Sequence, residues 1–345
     1  MNTVTLSFGK DKTAIIKGFA ILFMIILHCG GGQGWYDETI SAFEAHPQLE
    51  GVFSTFKLCV GIFTFMVGYG YAFAKKKDWH YSLLHIWKLL LPFWTVLFIF
   101  TVPVIIANGE WSGLMFVLNS FGINSEWNWT SWFVAFFIYA MIVMPLIAHV
   151  IDNKPIVGAA IMILLTYGLM VAVHELIPNY SQNDWIQRLF DCFITSPTMI
   201  LGYVFAHEGW FCKIRIPKHW AMVLFSVLSM IAVFIMRYYV QGVAGFNFYF
   251  FYAPILILSI LIIFNVYELP LLTKVFSALG NVSVYMWFFH ALFFTGVVRS
   301  VYQPFILISH SLWGIIPWTI FLTFCCSWVL QLVTNRIKQL IVKSK

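Results

Sequence analysis

Lys17-Gly18-Phe19-Ala20-Ile21-Leu22-Phe23-Met24-Ile25-Ile26-Leu27-His28 is an apolar run closed at one end by a lysine and at the other by a histidine. At roughly 100° per residue, eleven steps turn a helix three times plus about 20°. Lys17 and His28 therefore share one helical face, about 16 Å apart along the axis. A run this apolar has the composition of a membrane span, and polar groups within a span are costly enough that they line a cavity or serve a function.

The rest of the chain repeats the pattern. Of its 345 residues 61% are hydrophobic and 10% charged, with a mean hydropathy of +0.85. A soluble domain carries about 25% charged residues, so that class is excluded. Windows long enough to cross a hydrocarbon core of about 30 Å fall near residues 13–30, 51–74, 86–107, 131–150, 156–175, 189–206, 219–238, 246–265, 281–298 and 312–333. The expected architecture is an all-α, polytopic bundle of ten transmembrane helices, and 1–345 reads as a single integral membrane domain.

Basic residues orient that bundle. Of the 20 Lys and Arg, fifteen fall on one side: Lys10, Lys12, Lys17, Lys75, Lys76, Lys77, Lys154, Lys213, Arg215, Lys218, Lys274, Arg336, Lys338, Lys343 and Lys345. Three fall on the other, Arg188, Arg237 and Arg299, while Lys57 and Lys88 lie inside spans. Both termini are thereby expected in the cytoplasm. The outer side carries Asp37, Glu38, Glu44, Glu50, Glu110 and Glu126. The formal net charge of +6 is this asymmetry and does not point to nucleic acid. The basic start before an apolar run resembles a signal peptide, but no small-residue cleavage site follows, so it reads as a retained span. The six cysteines lack metal-ligand spacing and read as thiols in or beside spans, with no metal site expected.

Four groupings stand out as candidates for chemistry. His28 has the residue type of a general base near neutral pH; the plainer alternative is a histidine satisfied by a neighbouring helix. Lys17, taken alone, reads as a lysine snorkelling to the headgroups. Lys75 to Lys77, His80, His85 and Lys88 form a basic cluster ahead of Pro92, able to grip a phosphate-bearing donor or merely to set topology. The ninth span, from Leu279-Gly280 through Ser283 to His290, places a second histidine near mid-membrane. Arg188 and Asp191, three apart, read as an interfacial ion pair. Tryptophans gather at span ends, as interfacial anchoring requires, and Glu126-Trp127-Asn128-Trp129 also has the composition of a sugar-binding surface.

Taken in order, these segments resemble the acyltransferase family 3 integral membrane proteins, which O-acylate cell-envelope saccharides. In that family the first helix carries an Arg, a Gly-x-Ala run and a His eleven residues after the Arg; Lys17-Gly18-Phe19-Ala20 and His28 match that spacing. Phe63-Thr64-Phe65-Met66-Val67-Gly68-Tyr69 matches the aromatic second helix. His85, Lys88, Pro92, Phe93 and Trp94 match the Arg-x-x-Arg opening of the third more loosely. Trp132-Phe133, Tyr139 and Pro145 match the fourth, and Leu279-Gly280, Ser283 and His290 the ninth. Lys17 replaces the family's Arg, Ala14 stands where many members have Asp, Val67 replaces Ser and His85 replaces Arg. The lysine resembles the branch of polysaccharide-modifying acetylases.

The resemblance implies an O-acyltransferase of a multi-pass bacterial plasma membrane protein type, taking an acyl group, foremost acetyl, from cytoplasmic acyl-CoA. The acceptor would be a hydroxyl of an envelope polysaccharide or lipid-linked saccharide. Acetyl-CoA is then a donor substrate, and no tightly bound cofactor is expected. His28 and Lys17 are the expected catalytic pair; Lys88, His85, His290 and Trp132 are the expected substrate-binding residues. The rival reading is a transporter or flippase of a lipid-linked saccharide or acyl donor. Proton-coupled transport usually uses intramembrane carboxylates, and Asp191 alone comes close to one.

Overall fold

A computed structural model describes residues 2–30, 46–240 and 248–343, with side chains as far as residue 336. The outer-loop acids Asp37, Glu38 and Glu44, and the side chains of Lys338, Lys343 and Lys345, fall outside the described residues. Among the described residues, ten helices are long and apolar enough to cross a membrane. They are α1 (Lys10–Gly30), α2 (Gln48–Ala72), α3 (Trp79–Ala107), α4 (Trp129–Asn153), α5 (Pro155–Leu176), α6 (Asp184–His207), α7 (Trp220–Tyr239), α8 (Tyr249–Val266), α9 (Pro270–Phe293) and α10 (Leu312–Arg336). The expected all-α frame of ten spans is present. A three-residue ribbon is added to it, β1 (Thr3–Thr5) antiparallel to β2 (Arg215–Pro217).

Local chemistry explains where the helices begin. Asp78 precedes α3, and its Oδ1 accepts from Tyr81 N at 2.9 Å. Asn183 caps α6 by accepting from the amides of Trp185 and Ile186. Both caps satisfy helix-end donors that would otherwise be orphaned. Pro155 and Pro270 open α5 and α9, where a missing N–H costs nothing. Each of these helices except α5 starts several residues before its hydropathy window, since the extra turns carry polar residues. The largest difference is α9, which starts at Pro270 where the hydropathy window starts at 281. His290 consequently sits in the last turn of the α-helix Pro270–His290, ahead of the 3-10 turn Ala291–Phe293, and not in mid-span.

Packing divides the chain into two compact units whose limits fall inside helices. The first holds Met1–Phe23, Thr55–Ile86 and Phe136–Gly280. Its centre is the packing of α2 on α6 and α8, with α5 against α6 and α7 against α8. Two reciprocal glycine pairs set the closest crossings. A Cβ on Gly68 would overlap the Met199 carbonyl of α6, and one on Gly202 the Phe65 carbonyl of α2. Gly18 of α1 and Gly280 of α9 have the same relation, facing the carbonyls of Phe276 and Ala14. Small residues of this kind let helix backbones approach closely in lipid. Phe19 and Phe276 stack beside the second crossing with centroids 3.8 Å apart.

One end of this unit is tied together by polar contacts. Besides the ribbon, Ser7 N and Oγ donate to Asn265 Oδ1 at the end of α8, at 3.0 and 2.8 Å. Lys12 Nζ donates to the Phe264 carbonyl. The N-terminus, the α6–α7 connection and the end of α8 thus share a face.

The second unit holds Met24–Ser54, Trp87–Ala135 and Asn281–Lys345. Phe93 of α3 packs on Phe288 of α9, and Phe133 of α4 on Trp287, with centroids 4.9 and 4.6 Å apart. The short helix Gly113–Ser120 is held where Trp94 Nε1 donates to the Ser120 carbonyl at 2.8 Å. Trp79, Trp185, Trp220 and Trp313, each at the start of a span, are 50–65% exposed, the arrangement interfacial anchors take.

Candidate active site

His28 stands in the last turn of α1 and His290 in the last turn of its α-helix, and both belong to the second unit. Their imidazoles meet: His28 Nδ1 lies 2.6 Å from His290 Nε2, and the ring planes are 3° from parallel. Both are buried, His28 to 8% exposure and His290 to 0%.

The hydrogen-bond network assigns the protons. His290 Nδ1 lies 3.0 Å from the Met286 carbonyl, which can only accept, so Nδ1 carries the hydrogen. In the neutral ring Nε2 is then an acceptor, and His28 Nδ1 must donate to it. That fixes the other His28 nitrogen, Nε2, as the lone-pair atom. Because both rings sit at helix C-termini, the negative ends of two macrodipoles favour any positive charge that develops there.

Aromatic rings wall the pair. Trp129 lies 4.4 Å from the His28 ring, and Phe294 about equally far from both histidines, at 6.5 and 6.4 Å. An indole face stabilises a cation near it. The segment carrying Trp129 is pinned by amides: Asn128 Nδ2 donates to the Phe288 carbonyl at 3.2 Å, and Thr130 Oγ1 to Asn128 Oδ1 at 2.8 Å. Asn119 Oδ1 accepts from Trp127 N at 2.9 Å. Glu126-Trp127-Asn128-Trp129 has the composition of interfacial anchors and also of a sugar-binding surface. Its amides tie the backbone, and its second tryptophan faces the histidine.

Of the six residues expected from sequence, these two histidines are brought together. Lys17, in the first unit, is half-buried and makes no hydrogen bond or ion pair among the described residues. His85, also in the first unit, stacks on Tyr81 at 3.9 Å, and its Nδ1 is 2.9 Å from the Tyr81 carbonyl. Lys88 is exposed in the second unit. Trp132 is half-buried and packs edge-on to Phe133 at 5.6 Å. Trp129, three residues earlier, is the ring set against His28.

A second polar cluster, in the first unit, went unnoticed in the sequence. Lys77 Nζ lies 2.8 Å from Asp152 Oδ2 and donates to Tyr203 OH at 2.6 Å. Tyr203 OH in turn donates to Asp152 Oδ1 at 2.5 Å, and His207 Nε2 is 3.4 Å from the same oxygen. The signal available was Tyr203 and His207, four apart at the end of α6 and so on one face. Lys77, for which the sequence leaves open a grip on a phosphate-bearing donor or a topology-setting charge, is a member of an ion-paired network. The expected Arg188–Asp191 pair is present at 2.7 Å.

The fold is that of a multi-pass membrane protein, with two buried imidazoles in contact at the ends of two helices. A family model described as an acyltransferase domain, Acyl_transf_3, matches residues 14–332, and the chain belongs to acyltransferase family 3. It is a membrane acyltransferase of that family. No curated protein and no solved structure gives a significant match.

Proposed function

We propose that the protein transfers an acyl group, foremost acetyl, from cytoplasmic acyl-CoA to a hydroxyl of an envelope polysaccharide or lipid-linked saccharide in a bacterial plasma membrane. The observation that carries this reading is the His28–His290 pair, with a lone pair assigned to His28 Nε2. Transfer from a thioester to an alcohol needs a base for the hydroxyl proton and a partner for the developing charge. His28 Nε2 takes the acceptor's hydroxyl proton while that oxygen bonds to the thioester carbonyl carbon. The carbon–sulfur bond then breaks, and the imidazolium returns its proton to the departing sulfur, giving a free thiol.

His290 acts through His28. Its Nε2 accepts from His28 Nδ1 and holds the ring in the tautomer the reaction needs. Trp129, tilted 55° to the His28 ring at 4.4 Å, is close enough to stabilise the imidazolium. Lys17, Lys88 and His85 are assigned to the donor side, the lysines as point charges for phosphate, and Trp132 to the acceptor path. These four assignments rest on residue type and position in the sequence.

The test is the O-acyl content of envelope glycans, read by proton NMR before and after mild base, in cells carrying the native gene, a deletion or His28→Ala at matched protein level. Esters should vanish in the deletion and fall roughly a hundred- to ten-thousand-fold in rate with His28→Ala, while glycan export persists. Unchanged esters with reduced export would turn the reading to a transporter.

A further inference from the structure

Helix α7 exposes most of its surface, and Ser226, Val233 and Arg237 form its buried stripe. Spaced by seven and four, these three share the face turned into the first unit. Arg237 is 6% exposed and makes no hydrogen bond among the described residues. Its guanidinium lies 5.6 Å over the ring of Tyr249, the first residue of α8. The Tyr249 hydroxyl is itself buried and has no hydrogen-bond partner among the described residues. Arg188 of α6 gives one nitrogen to Asp191 at 2.7 Å, while its Nε is buried and unpartnered. Lys57 stands exposed at the break in α2 between Gln48–Thr55 and Leu58–Ala72, near enough to both charges to be repelled by Arg237 and attracted by Asp191.

Four helices thus deliver three cations and a phenol, and Asp191 is the carboxylate bonded to Arg188. Among these described residues two positive charges remain over, the exposed Lys57 and the buried Arg237. A buried guanidinium left without an anion costs several kcal/mol, and an intramembrane ionisable group of this kind marks a ligand or partner.

We infer that Lys57, Arg188, Arg237 and Tyr249 form a binding site for a phosphate monoester group. The excess of two charges matches a dianion. Donors arriving from four helices suit the several oxygens of a phosphate better than the two of a carboxylate. The arginines offer planar forks to that geometry. Phe23, Phe56 and Phe234 form an apolar wall on the adjoining turns, with Phe23 and Phe234 each 5.0–5.4 Å from Phe56 or from one another. The site is independent of the acyl-transfer reading, because it requires only that an anion be held.

Full-length protein in a maltoside detergent would be titrated with inorganic phosphate in one arm and with farnesyl phosphate in the other, at constant ionic strength. Binding would be followed by the thermal unfolding midpoint and by native mass spectrometry. Saturable binding in either arm, weakened roughly tenfold or more by Tyr249→Phe and further by Arg237→Gln, is the expected result. Tighter binding of the prenyl phosphate identifies a lipid-borne group, and equal binding a soluble one. Tyr249→Phe keeps the ring, so it decides the matter should Arg237→Gln fail to fold. Absence of binding in both arms, or binding that neither substitution weakens, overturns the site.

Discussion

In the proposed mechanism His290 acts through its hydrogen bond to His28, and that bond sets what substitution should do. Removing it with His290→Ala frees His28 to take the other tautomer or to turn in its pocket. Misplacement of a reacting group by about 1 Å can cost roughly a hundredfold. The expected outcome is a fall of that order in kcat for acyl transfer, with KM for acyl-CoA little changed. His290→Gln restores an acceptor for His28 Nδ1 and should recover part of the loss; steady-state kinetics of the two variants check both points. Equal losses in the two variants would mean that the imidazole itself, and not an acceptor at that place, is required. At this scale the sequence identified both histidines, because a polar residue in an apolar run is conspicuous. Their contact was not legible, since it joins residues 262 positions apart. Trp129 was hidden for a related reason: among several tryptophans at one span end, only packing distinguishes the ring that faces the histidine.

The helices were legible wherever hydropathy alone defines them, and less so where a cap or a proline does. Hydropathy windows discard Lys274 and the first turns of α9, yet Pro270 starts the helix there and Gly280 needs those turns for its crossing with α1. The family-like Gly18 and Gly280 consequently have a structural explanation: each sits against the other helix's carbonyl, where no Cβ fits. Gly18→Val should force α1 and α9 apart. Overpacking of a close contact costs roughly 1–3 kcal/mol, and the branched side chain adds a helix-propensity penalty relative to alanine. The thermal unfolding midpoint in detergent is expected to fall for Gly18→Val, and less for Gly18→Ala, because a single methyl meets the same carbonyl with less bulk. Gly70, whose Cβ would meet nothing within 4 Å, is the control and should tolerate alanine with little change.

At the scale of the molecule, charge and tertiary contacts select the same face of the first unit. The ribbon joins Thr3–Thr5 to Arg215–Pro217, and Ser7 bonds Asn265, so the N-terminus, the α6–α7 connection and the end of α8 lie together. Lys77, Asp152 and His207 join the α2–α3 connection to the ends of α4 and α6. These are the connections in which Lys and Arg concentrate, and the positive-inside bias predicts a cytoplasmic side for them. Cys212 provides the test. It lies in the α6–α7 connection and is exposed, whereas Cys29, Cys59 and Cys192 are buried and Cys325 and Cys326 are half-buried within the apolar span α10. A membrane-impermeant maleimide should therefore label inverted membrane vesicles and leave right-side-out vesicles unlabelled until detergent is added. Cys212→Ser should abolish the signal. Labelling of right-side-out vesicles at Cys212 would place the basic face outside, and with it would reverse the side from which acyl-CoA is expected to enter.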